Sequence, residues 1–165
     1  MIRRNYYIYQ KSEANIIINK MPIYFKEVEF TGDKTKGTIR FDSQNNYDEI
    51  WGPNAKLEIE WSPKERTRFF HAKEVQESID AYNAIKVVVT RKETSWLNTH
   101  EFTYWSGGRN KIVRKRYYPE NHIHGTFYCE FTERQFELHT VVIREHYEGY
   151  KPFILEAYNS LICHE

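Results

Sequence analysis

The chain predicts an α+β domain: a central antiparallel β-sheet flanked by a middle helix and a C-terminal helix. Three observations carry this. From His122 to Val142 two runs of alternating apolar and polar residues face each other across a polar turn, the pattern of a long β-hairpin. From about His146 the apolar spacing changes to three and four residues, the pattern of an amphipathic helix. Upstream, the elements come as strands, then a helix, then several strands, without regular strand–helix alternation, which favours antiparallel pairing.

Taken in order, residues 1–20 differ from the rest. They are rich in Asn, Lys and Tyr, with an isolated Ile16-Ile17-Ile18. They read as an N-terminal extension or, alternatively, an added edge strand at Ile16–Ile18. Met21-Pro22 opens the patterned region, and residues 21–165 are expected to form one α+β domain. Ile23–Phe30 and Gly37–Phe41 are strand-like, joined by a Gly- and Asp-containing loop. Lys56–Trp61 alternates, with Leu57, Ile59 and Trp61 on one side. Ser62-Pro63-Lys64-Glu65 has the cap, proline and acidic residue of a helix start, and Val75, Ile79 and Tyr82 follow at helical spacing. One helix or two short ones fill Pro63–Asn83. Ile85–Thr90 and Thr99–Trp105 are further strands, the second ended by Ser106-Gly107-Gly108. Ile112–Tyr118 follows and is broken by Pro119-Glu120-Asn121.

In the long hairpin, Phe127, Cys129 and Phe131 share one face; His122, His124, Tyr128 and Glu130 share the other. The return strand places Phe136, Leu138, Thr140 and Val142 opposite Glu137 and His139. Pairing Phe131 with Phe136 makes the apolar faces coincide, and a one-residue slip would turn them all into water. That register sets Glu130 across from Glu137, an unfavourable like-charge pair that Arg134 could relieve, and Tyr128 across from His139. The last helix carries Tyr150, Ile154, Ala157, Tyr158 and Leu161 as its stripe. Pro152 suits a helix start, which favours a beginning near Lys151 over His146. Cys163 then projects away from the stripe, which argues against a Cys129–Cys163 bridge.

At 40% hydrophobic and 28% charged residues, the composition is that of an ordinary soluble domain. A net charge of +1 supplies no global field toward nucleic acid or anionic lipid. No apolar run approaches the roughly 18–20 residues of a membrane span. Arg3 and Arg4 are not followed by an apolar core, so a secretory leader is not expected and cytoplasmic residence is.

The order of elements supports a resemblance. A short N-terminal β segment, a middle helix, a strand bearing His100-Glu101-Phe102-Thr103-Tyr104, a long hairpin and a closing helix ending Asn159-Ser160-Leu161 resemble the PsbP-like α+β fold over roughly residues 22–163. That fold is shared by photosystem extrinsic proteins, a Ran-binding nuclear import factor and many small prokaryotic proteins. The resemblance implies a central antiparallel sheet with helices, and it leans toward binding or assembly rather than catalysis. It matches no family site residue in this chain, and fold alone does not transfer function.

Several constellations bear on chemistry. Gly32-Asp33-Lys34-Thr35-Lys36-Gly37-Thr38 looks like a phosphate loop, but Thr38 stands where the lysine belongs and a strand follows, so a hairpin loop is the better account. His122-Ile123-His124 puts two imidazoles on one strand face, where they could chelate an ion. In the expected register His139 sits two rungs away, too far to share it, and a solvated face with scattered histidines is favoured. Cys129, between Phe127 and Phe131, reads as a buried, inert thiol rather than a nucleophile. Cys163-His164 is too sparse to carry a site. Glu130 with Glu137 resembles an acid–base pair, but exposed glutamates are commoner. Arg109, Lys111, Arg114, Lys115 and Arg116, with Tyr117 and Tyr118, form a basic–aromatic cluster, favoured as a charge-protected edge strand. Of the four tryptophans, Trp61 reads as core, while Trp96 and Trp105 flank a strand and could line a groove.

The sequence therefore points to a soluble, non-enzymatic binding or assembly module. Its expected partner is a protein, met on the sheet edge or face around Arg114, Arg116, Tyr118, His122, His124, Tyr128 and His139. No catalytic residue, cofactor or metal is assigned. The alternatives are a metal- or small-molecule-dependent enzyme using the histidines, and nucleic-acid binding through residues 109–118.

Overall fold

Alternation decides which way each strand faces, and the apolar side of nearly every strand is used. The computed structural model describes residues 5–63, 72–92 and 99–163. In chain order the elements are β1 (Tyr6–Lys11), β2 (Ile16–Pro22), β3 (Phe25–Gly32), β4 (Gly37–Ser43), β5 (Asn46–Asp48), β6 (Gly52–Pro53), β7 (Ala55–Pro63) and α1 (Ala72–Ala81). There follow β8 (Ile85–Lys92), β9 (Thr99–Val113), β10 (Arg116–Cys129), β11 (Arg134–Ile143), α2 (Arg144–Asn159) and β12 (Leu161–Ile162). The main sheet is antiparallel and seven-stranded, in the order β3-β4-β7-β11-β10-β9-β8. A three-stranded sheet, β1-β2-β12, and a two-stranded one, β5-β6, complete the topology. The described chain is thus mostly antiparallel sheet with two helices, an α+β architecture.

One face of the main sheet supplies the core. Ile39 and Phe41 of β4, Leu57, Ile59 and Trp61 of β7, Phe136 and Leu138 of β11, Ile123 and Phe127 of β10 and Phe102 of β9 are buried together. Tyr147, Ile154, Ala157 and Tyr158 of α2 pack into the same core, as do Ile16, Ile18 and Met21 of β2. Burial of this kind supplies most of the stabilisation of such a domain. Gly125 gives way to the helix: a Cβ there would lie 2.9 Å from the Phe102 ring and 3.1 Å from Tyr158. Tyr158 is polar at its tip, and the sheet satisfies it. Its hydroxyl lies 2.5 Å from Thr140 Oγ1 and donates to the Ile123 carbonyl at 2.8 Å. Tyr158→Phe is expected to cost about 1–2 kcal/mol in urea unfolding with an unchanged m-value, because it strands polar partners in a closed core.

Several expected boundaries move. The β10–β11 register pairs Phe127 with Phe136 and Cys129 with Arg134, not Phe131 with Phe136. Residues 130–133 form the turn, with Glu133 at a φ of 53°, and Phe131 is 47% exposed there. Every partner moves by four residues, an even number, so the two faces keep their composition while every cross-strand pair changes. The Phe127 and Phe136 rings stack at 4.9 Å, which favours the observed register. Glu130 consequently does not oppose Glu137, whose β10 partner is Thr126. Arg134 faces the core side and relieves neither carboxylate. Helix α2 starts at Arg144, directly from the strand, with Pro152 inside it on an exposed position. The buried Tyr147 explains the earlier start, because the first turn already packs on the core. The helix ends at Asn159, β12 pairs with β2, and Cys163 is buried rather than turned outward.

Two interruptions expected in the centre of the chain are not breaks. Strand β9 runs through Gly107-Gly108, and β10 runs through Pro119. At Gly107 a Cβ would meet the Tyr82 carbonyl at 2.2 Å, so the glycine lets the chain after α1 lie on the strand. Pro119 pairs with Asn110 of β9 before β11 joins the other side at Glu120, so its missing N–H costs little there. Ser62 and Pro63 end β7 instead of capping a helix; Lys64 and Glu65 lie outside the described residues, as do Arg3, Arg4, Trp96 and His164.

Candidate functional site: a histidine cluster and a basic hairpin arm

The second face of the main sheet is polar, and register decides which of its residues meet. One rung carries Arg40 of β4, Glu58 of β7, His139 of β11, His124 of β10, Trp105 of β9 and Lys86 of β8 in succession across six strands. His139 is therefore directly opposite His124, not two rungs away. His122 is on the same face of β10, two residues along.

The three imidazoles form one stack. Ring centroids are 4.3 Å apart for His124–His139, 5.1 Å for His122–His139 and 6.0 Å for His122–His124, all within 15° of parallel. His122 Nδ1 and His139 Nε2 are 2.8 Å apart. On the far side of its ring, His122 Nε2 lies 2.8 Å from Glu120 Oε1, two residues back on the same strand face. An ionised carboxylate only accepts, so His122 Nε2–H donates to it, and in the neutral ring Nδ1 is left with its lone pair toward the cluster. Arg109, cross-strand from Glu120, donates to the same carboxylate at 3.3 Å. Glu120 is buried, yet its carboxyl titrates below the ordinary range: burial opposes this, and the His122 hydrogen bond and Arg109 outweigh it.

Aromatic rings enclose the stack. Trp105 lies parallel to His124 at 5.2 Å, and Tyr82 covers His122 and His124 at 4.6 and 5.3 Å. The Arg109 guanidinium sits 5.1 Å above the Tyr82 ring. Desolvation drives the His124 pKa down to about 2 and that of His139 down to about 4, with neighbouring histidines and Arg109 adding to the effect. Both are neutral at physiological pH. Nε2 of His124 is buried with no hydrogen-bond partner among the described residues, and Nε1 of Trp105 beside it is in the same position.

The basic cluster lies elsewhere. Residues 109–118 belong to β9, β10 and the turn joining them, and those strands are inside the strand order of the main sheet, whose outermost strands are β3 and β8. Strand β8 pairs with β9 only as far as Ser106, and β11 pairs with β10 only from Glu120 onward. Residues 110–119 are thus a two-stranded arm without a neighbour in the main sheet. Its tip is the pair Arg114-Lys115, at φ of 50° and 66°, the left-handed geometry of a two-residue hairpin turn. Tyr118 is buried against Trp51 and Ile143 and donates to Asp48 Oδ2 at 3.0 Å. It anchors the arm and does not stand on the surface with Arg114 and Arg116. Its neighbour Tyr117 is 72% exposed and lies directly opposite Ile112, which is 60% exposed. Lys111, Arg114, Lys115 and Arg116 are exposed and enter no ion pair among the described residues. Tyr128, the remaining expected site residue, is apart from both groups, in a groove with Lys34, Thr132 and Arg134.

The structure therefore divides the expected surface into three histidines that converge, two arginines on a separate arm, a buried tyrosine anchor and a distant Tyr128. Sequence reasoning missed Glu120 and Tyr82. Glu120 had a signal, since it alternates with His122 and His124 in the same strand. Tyr82 had none, because its place depends on the fold.

Compared by sequence, the chain matches no family model and no curated protein. By structure it has the PsbP-like fold. Among solved structures it is similar to cyanobacterial PsbP (CyanoP) from Synechocystis sp. PCC 6803, with a TM-score of 0.51 and 11% sequence identity over 94% of this chain and 91% of that one. At that identity the likeness is one of fold. No helix among the described residues is long and apolar enough to cross a membrane.

Proposed function

We propose that the chain is a non-enzymatic binding or assembly module that meets a partner protein through the β9–β10 arm. The observation that carries this is the arm itself. Residues 110–119 extend past both neighbouring strands and present an opposed Ile112–Tyr117 pair beside four exposed cations that have no ion pair among the described residues. What separates Ile112 and Tyr117 from single exposed apolar residues elsewhere is that they are cross-strand partners, 60% and 72% exposed, and so form one contiguous apolar patch. An aromatic anchor ringed by arginines is the composition of an interface hot spot, and the charge fits an acidic protein surface. The anchor in this account is Tyr117, with Arg114 and Arg116 giving electrostatic guidance.

A photo-crosslinking residue placed at Tyr117 in the native host tests the reading. A protein adduct is expected, to be lost when Arg114→Glu and Arg116→Glu are added, while the same residue at the exposed Phe131 gives no such adduct. Equal adducts with and without the charge reversals would sink the proposal. Tight, steeply salt-dependent binding of a single-stranded oligonucleotide to the arm would replace the protein partner with nucleic acid.

A further inference from the structure

We infer that His122, His124 and His139 form a binding site for one divalent transition ion of the zinc class. One ring nitrogen from each histidine lies within 4.8 Å of those of the other two. Three imidazoles with no carboxylate or thiolate among them suit zinc, copper or nickel rather than calcium or magnesium. Zinc–imidazole bonds of about 2.0–2.1 Å in a tetrahedral site require nitrogens about 3.3 Å apart. The His122–His139 pair, at 2.8 Å, would open slightly to admit the ion, and His124 would close.

The surroundings match what such a site needs. Glu120 already holds the outward nitrogen of His122, the carboxylate–histidine arrangement that orients a metal-ligating ring and raises its basicity. Arg109, the nearby cation, has its charge engaged by Glu120 and its plane laid over Tyr82. A cluster that only fills space should have its polar atoms satisfied. Here His124 Nε2 is buried and unpartnered among the described residues, which is costly unless something binds it. An ion held by His122 Nδ1, His124 Nε2 and His139 Nε2 removes that deficit. His139 then gives up the proton it shares with His122.

The test is a titration of metal-free protein with zinc at neutral pH, followed by competition with a chromophoric chelator. One equivalent is expected to bind, with affinity lowered by more than about tenfold in His124→Ala and His139→Ala, and by about 10–100-fold in Glu120→Gln. His146→Ala, on α2, serves as the control and should match the parent. Absence of saturable binding in the parent, or full retention in His124→Ala, would overturn the site. Should the alanine variants fail to fold by circular dichroism, imidazole nitrogen NMR of the parent decides. Zinc must then shift all three ring systems together, and shifts confined to other histidines refute the assignment.

Discussion

Replacing Arg134 by alanine is expected to lower the unfolding free energy by about 4 kcal/mol, among the largest effects of any single substitution in this chain. Arg134 is 2% exposed, and among the described residues its guanidinium meets no carboxylate. It donates instead to four backbone carbonyls: Ala14 at 2.5 Å, Lys34 at 3.1 Å, Asn15 at 3.0 Å and Cys163 at 2.6 Å, with Nε bonded to Thr132. These belong to the β1–β2 turn, the β3–β4 loop and the residue after β12. A single planar fork of five donors therefore ties three distant chain segments to the start of β11. Truncation leaves buried carbonyls without donors and opens a void. Arg134→Lys is expected to recover only part of the loss, because an ammonium cannot span the same four acceptors. Urea melts of both variants check this, and an alanine cost under about 1 kcal/mol would show that the fork is dispensable.

The second large effect is acid destabilisation of the metal-free protein. His124 titrates near 2 and His139 near 4 in the fold, against about 6.5 when unfolded. Below pH 6.5 the unfolded chain takes up protons that the folded chain refuses, so stability falls as pH falls. The loss from His139 continues down to about pH 4, and that from His124 to about pH 2. At pH 5 each histidine accounts for about 2 kcal/mol, a large share of a typical domain's stability. Burial is the main cause in both; His122 and Arg109 press on each ring, and Glu120 partly offsets them at His139. Glu58, opposite His139, faces the same space. Thermal melts between pH 7 and pH 5 should show a steep decline in the parent and a shallower one in His139→Gln. Parallel declines would place the acid sensitivity elsewhere.

Much of the fold was legible in the residues. The alternation of Phe127, Cys129, Phe136 and Leu138 specified which faces are buried, because period two is a local property of an extended chain. The stripe through Ile154, Ala157 and Tyr158 specified α2 in the same way. What failed was pairing. Phe127 and Phe131 have the same sidedness, so alternation cannot choose between them as the partner of Phe136. Gly107 and Pro119 carry the local signals of a strand end. Only the Tyr82 carbonyl packed on the first, and the absence of a second neighbour at the other, let those strands continue.

The candidate site followed the same division. That His122 and His124 share a face is dictated by the sequence, as is the alternation of Glu120 with them. That His139 completes the group was decided by the tertiary structure, through a four-residue change of register that brought it opposite His124 rather than Tyr128. The arm was visible as a run of basic and aromatic residues, but its freedom from β8 and β11, and the burial of Tyr118 in place of Tyr117, depended on where neighbouring strands stop. Periodicity along one strand is enforced by covalent geometry, whereas the partner across a sheet is selected by packing summed over the whole core, which no short segment contains.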